Sequence, residues 1–133
     1  MNEGKRRVLL VDDEPSILKT VGKHLESAGF QVLEAADGEE ALQRARAEQP
    51  DVIVLDIMLP RHSGLEVSVA LRKDPRFQQT PIIFFTGRGQ EDVIASLGTS
   101  EKLLHKWGAN AYVSKVDGAV GLIKQINGLL PQA

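Results

Sequence analysis

At 133 residues, with 42% hydrophobic and 26% charged side chains, the chain has the size and composition of one globular domain with room for a sizeable core. A net charge of −2 excludes the global basic excess that recruits nucleic acid or an anionic membrane, and the absence of cysteine excludes a disulfide framework, a thiol nucleophile and a cysteine-ligated metal. The basic start, Lys5-Arg6-Arg7, meets an apolar run too short for a signal-peptide core, and no stretch approaches the roughly 20 apolar residues of a membrane span, so the expected location is the cytoplasm.

Strand and helix patterns then alternate five times. Val8-Leu9-Leu10-Val11 is an apolar run closed by Asp12-Asp13. Pro15 stands where a first helical turn tolerates it, and Ile17, Leu18, Val21, Leu25 and Ala28 recur at helical spacing up to Gly29. Gln31–Ala35 alternates as a half-exposed strand does. Asp37 and Glu40 form a capping pair for a helix to about Ala47, which Gln49-Pro50 stops. Asp51–Leu55 is the third strand and is closed by Asp56. Ser63 and Glu66 open a third helix ending near Lys73, before Asp74-Pro75. Pro81–Phe85 is the fourth strand, closed by Thr86, and Ala111–Ser114 the fifth, closed by Lys115. Between them Val93, Ile94, Leu97, Leu104 and Trp107 carry an apolar stripe, interrupted at Gly98-Thr99-Ser100. This predicts a lengthened helix four or two short helices meeting near Gly98. A last helix covers about Ala119–Leu130.

Repeated βα units predict a doubly wound α/β fold with a five-stranded parallel sheet and right-handed crossovers. The first, third and fourth runs are almost wholly apolar, as strands covered on both faces are; the second and fifth carry Gln31, Glu34 and Ser114 and belong at the edges. That is the flavodoxin-like order 2-1-3-4-5, in one domain spanning 1–133 with a core of about 5–130.

In such sheets ligands bind in the crevice at the carboxyl ends of the strands. Asp12, Asp13, Asp56, Thr86 and Lys115 all fall there. A lone Asp after a strand is ordinarily a cap or turn residue. The conjunction is what carries information: acids on strands one and three, a hydroxyl on four, an ammonium on five. Mg2+ favours oxygen ligands and offsets the repulsion of clustered carboxylates, and a carboxylate attacking phosphorus forms an acyl phosphate. The set therefore reads as a Mg2+-assisted phosphoryl-transfer site.

At these residues the chain resembles the receiver domain of two-component response regulators. Leu9-Leu10-Val11-Asp12-Asp13-Glu14-Pro15 looks like the acidic opening motif, and Val54-Leu55-Asp56-Ile57-Met58-Leu59-Pro60 with Gly64 like the phospho-acceptor motif and its loop. Phe85-Thr86-Gly87 and Tyr112-Val113-Ser114-Lys115 complete the pattern. The resemblance implies that Asp56 accepts a phosphoryl group from a histidine kinase or phosphotransfer protein. It implies Mg2+ on Asp13, Asp56 and the Met58 backbone carbonyl, with Asp12 assisting through water or hydrogen bonds, and phosphoryl contacts from Thr86 and Lys115. Tyr112 would be the rotameric partner of Thr86, altering the surface of helix four, strand five and helix five for a downstream effector or an attached output domain. Met58 and Arg88 would tune self-dephosphorylation toward a long phosphoryl lifetime. Chemistry would be confined to self-catalysed transfer and loss at Asp56, so the chain is not an enzyme in the usual sense.

Two features depart from the family pattern. Val116 follows Lys115 where a proline is usual, which predicts a trans bond and an altered loop. Lys115 follows Thr86 by 29 positions, about two helical turns more than receivers commonly have, which predicts an altered partner surface. His24, His62 and His105 read as solvated, with His62 and Arg61 placed to meet a phosphodonor. Pro131-Gln132-Ala133 reads as an end, favouring a stand-alone regulator. A haloacid-dehalogenase-type phosphatase needs a second carboxylate where Met58 stands, and a flavin module needs a phosphate loop rather than an acidic crevice. The remaining alternative is a phosphorylation-independent interaction module (a pseudo-receiver).

Overall fold

The computed structural model describes residues 4–87 and 106–130. Five parallel strands, β1 (Arg7–Val11), β2 (Gln31–Ala35), β3 (Val52–Leu55), β4 (Ile82–Thr86) and β5 (Ala111–Ser114), lie in the order β2-β1-β3-β4-β5. Between and after them come α1 (Pro15–Ser27), α2 (Gly38–Glu48), α3 (Gly64–Arg72) and a C-terminal helix (Gly118–Leu129). The expected order is the observed one, and the strands that carry Gln31, Glu34 and Ser114 are the edge strands. Residues 88–105 carry the expectation of a lengthened or split helix four, and with Arg88 and His105 they lie outside the described residues. Trp107, just beyond them, is partly buried against the core.

The sheet separates two cores, which explains why Val8–Val11, Val52–Leu55 and Ile82–Phe85 are apolar throughout. Leu9, Val11, Ile53, Leu55, Ile82 and Phe84 point to one face, where Ala41 and Ala45 of α2 and Val67 and Leu71 of α3 cover them. Their neighbours Val8, Leu10, Val52, Val54, Ile83 and Phe85 point to the other, under Val21 and Leu25 of α1 and Leu122 and Ile126 of the C-terminal helix. Because successive side chains point to opposite faces, only a run that is apolar at every position suits a strand covered on both sides.

Local signals set the helix ends. Asp37 Oδ1 accepts from Glu40 N at 2.8 Å, and Glu40 Oε1 reaches back to Ala36 N at 2.9 Å. At α3 the box is half made: Ser63 Oγ accepts from Glu66 N at 3.2 Å, while the Glu66 carboxylate lies 3.5 Å from His62 Nδ1. Gln49 ends α2 in the left-handed region at φ 47°. Two 3-10 turns, Pro75–Phe77 and Lys115–Asp117, were not legible in the hydrophobic pattern. Asp74 caps the first through Arg76 N, and Ser114 Oγ caps the second through Val116 N at 3.2 Å. Among the described residues every peptide bond is trans, including Lys115–Val116.

Arg72 ties the end of α3 to the segment that leads into β5. Its guanidinium donates to Gly108 O at 2.8 Å, to Asn110 Oδ1 at 2.9 Å and to Phe77 O, and Asn110 Oδ1 in turn accepts from Ile82 N. Burial holds the Arg72 pKa below its ordinary value. Arg72→Ala strips these acceptors of a charged donor, and equilibrium urea unfolding is expected to show a loss of about 2–3 kcal/mol.

Candidate functional site

The acid-bearing strand ends are held level by the sheet ladder itself. Asp12 N donates to Ala35 O and Asp56 N to Val11 O, each at 3.0 Å, so hydrogen bonding continues one residue past β1 and β3. Both side chains are buried, Asp12 at 0% and Asp56 at 2% exposure, whereas Asp13 is exposed. One carboxylate oxygen from each of Asp12, Asp13 and Asp56 lies within 4.8 Å of the others.

Lys115 crosses from β5 to meet them. Its Nζ lies 2.8 Å from Asp12 Oδ2, 3.0 Å from Asp56 Oδ2 and 3.3 Å from Glu14 Oε1. Thus Val116 does not displace the ammonium; the capped 3-10 turn delivers it to the crevice. The other oxygens are held by the backbone: Asp12 Oδ1 accepts from Glu14 N at 2.9 Å and Asp56 Oδ1 from Met58 N at 3.2 Å. Thr86 is fully buried, and its hydroxyl is without a hydrogen-bond partner among the described residues. Tyr112 stands on β5, opposite Phe84 in the register, with its side chain exposed. Met58 is exposed on the loop after β3. His24 and His62 are exposed, as expected.

Sequence reasoning did not single out Glu14 as a group on Lys115. Its position next to the Asp12-Asp13 doublet was the available signal.

Burial raises the Asp56 pKa, with the Asp13 charge adding to it, against the lowering effects of Lys115 and the Met58 N–H. Burial likewise raises Asp12, and the Asp56 charge adds to this, while Lys115 and the Glu14 N–H pull it down. For Lys115 burial acts to lower the pKa, but hydrogen bonds and charge from Asp12 and Asp56 win and hold it above the ordinary lysine value. The donor set suits a hard divalent cation: three oxygen-bearing acids converge, two of them buried and short of countercharge.

A family model described as the response regulator receiver domain matches residues 8–127. The chain belongs to that family. Among curated proteins, the receiver is 44% identical over 86 residues to the alkaline phosphatase synthesis transcriptional regulatory protein PhoP of Bacillus subtilis, covering 65% of this chain and 35% of PhoP. It is 34% identical over 124 residues to protein PilH of Pseudomonas aeruginosa, covering 93% of this chain and 97% of PilH. The receiver thus spans about a third of one relative and nearly all of the other. Among solved structures, the Vibrio cholerae chemotaxis protein CheY4 superposes with a TM-score of 0.82 at 31% identity, over 96% of this chain and all of that one. The response regulator protein TrrA of Thermotoga maritima, solved in complex with Mg2+-BeF, gives a TM-score of 0.76 at 32% identity, over 94% and 99% of the two chains.

Since the folded carboxyls have raised pKa values, the folded state of the metal-free receiver holds its protons more tightly than the unfolded chain. Stability therefore falls as pH rises from about 4 through those values. The Lys115 contribution has the same sign but a higher range: it is present at neutral pH and lost only as pH rises through its raised pKa. Asp56→Asn removes one of the unfavourable charges. In EDTA it is expected to raise the unfolding free energy by about 1 kcal/mol at pH 7.5 and by less at pH 4.5, read by urea unfolding at both.

Proposed function

We propose that the receiver is the phospho-acceptor of a two-component signalling pathway, with Asp56 taking a phosphoryl group from a phosphohistidine of a kinase or phosphotransfer protein. The observation that carries this reading is the position of Lys115 Nζ between buried Asp12 and Asp56, with Asp13 in reach of the same point. An Asp56 carboxylate oxygen attacks phosphorus; the new O–P bond forms as the N–P bond to the donor imidazole breaks, and that imidazole takes a proton from solvent. The transition state is loose, with charge spread over the equatorial oxygens, so the protein acts by positioning and neutralisation. Lys115 is the protein's own counter-charge for those oxygens. The buried Thr86 hydroxyl, with no hydrogen-bond partner among the described residues, would donate to one of them. Mg2+, held by Asp12, Asp13, Asp56 and the Met58 carbonyl, would supply the rest of the charge neutralisation, as the Mg2+-BeF complex of TrrA supports.

Once Thr86 turns toward the phosphoryl group, exposed Tyr112 is free to turn inward, and the shift biases the β5 and C-terminal-helix surface between two packings. That surface would address an effector protein or an output domain, the latter in keeping with the name of PhoP as a transcriptional regulatory protein. No described helix is long and apolar enough to cross a membrane, and the setting we infer is the cytoplasm.

Incubation with acetyl phosphate and Mg2+, followed by intact-mass measurement, is expected to give a single phosphoryl adduct. The adduct should be lost with EDTA and absent from Asp56→Asn. No adduct on folded protein would overturn the reading in favour of a phosphorylation-independent interaction module. Met58 is exposed two residues past the acceptor, where its bulk would screen attacking water. Met58→Asn is expected to shorten the adduct's lifetime severalfold, read by the same mass assay over time.

A further inference from the structure

The loop from Asp56 to Gly64 carries both the acceptor and the Met58 carbonyl. Internally it is closed by Gly64 N to Ile57 O at 2.8 Å, Leu59 N to Ile57 O at 3.1 Å and His62 N to Pro60 O at 2.9 Å. It also contains Arg61 at φ 71°, a strained conformation for a side-chain-bearing residue. A loop so bent needs support from outside to keep one shape.

The support comes from Gly38, the buried first residue of α2. A Cβ placed on Gly38 would lie 2.7 Å from both the Cβ and the carbonyl oxygen of His62, and 3.0 Å from Val67 Cγ2. Two of these obstacles belong to the acceptor loop. They are a main-chain oxygen and a Cβ rather than the end of a flexible side chain, so one of the two elements would have to move. Gly38 cannot readily be the one that yields, because the Asp37–Glu40 and Glu40–Ala36 hydrogen bonds fix the first turn of α2 around it. Its backbone is not in the left-handed region, so close approach is the reason for glycine here.

We propose that Gly38 is a positioning residue for the phospho-acceptor site. By lacking a side chain it lets α2 brace the loop at His62, and this contact sets where the Met58 carbonyl stands relative to Asp56. The inference rests on the phospho-acceptor reading above.

The test compares Gly38→Ala with Gly128→Ala, a helix glycine whose added Cβ meets nothing within 4 Å. Alanine is the better helix former, so on propensity alone both substitutions stabilise. Amide NMR shifts of residues 57–64 are recorded without metal, Mg2+ is then titrated, and urea unfolding is followed separately. Gly38→Ala is expected to move the loop amides before any metal is added and to weaken Mg2+ binding about tenfold, while Gly128→Ala does neither. Mg2+ affinity in Gly38→Ala equal to wild type would overturn the inference, whatever its stability. Absence of Mg2+ binding in wild type would instead overturn the phospho-acceptor reading, and the inference with it. Should Gly38→Ala not fold, it is repeated in the Gly128→Ala background; failure there too would assign the contact to global stability and overturn the inference.

Discussion

Lys115 stands between two buried carboxylates whose charges repel one another. Asp12 and Asp56 are out of water, and burial disfavours the charge of each. One ammonium at 2.8 and 3.0 Å offsets that cost only in part, so burial still holds the pKa of both acids above the ordinary value. The site is therefore held in charge deficit. A cation or an incoming group that brings its own cation relieves the deficit, and the sheet gives the acids no room to relieve it by moving apart.

Most of this arrangement was readable from the chain because two physical rules act on it together. A strand buried on both faces must be apolar throughout, so Val8–Val11, Val52–Leu55 and Ile82–Phe85 mark themselves as central; Gln31, Glu34 and Ser114 mark their strands as edges. Once the order is known, the residues that close the runs must share one rim. Asp12, Asp13, Asp56 and Lys115 do meet there, and Thr86 is buried at the end of β4 beside them.

What stayed hidden depends on contacts between distant segments with no local pattern. The reach of Glu14 to Lys115, the Arg72 bonds to Gly108 and Asn110, and the press of Gly38 on His62 each join elements far apart in the chain. The two 3-10 turns are capped by Asp74 and Ser114, residues equally at home in other turns. The Val116 departure predicted an altered loop, and the capped turn shows how the chain keeps Lys115 in place without the usual proline.

The pairing of Lys115 with Asp12 and Asp56 joins the fifth strand to the first and third, and its bond to Asp56 closes a loop of 59 residues. Contacts of such sequence separation form late, because the entropy of closing the chain must be met before they can be rewarded. No partly assembled sheet, whether on an emerging chain or in a locally opened molecule, can present the complete charge constellation. The full set of acids and ammonium at this rim is thereby a mark of a molecule whose last strand has docked.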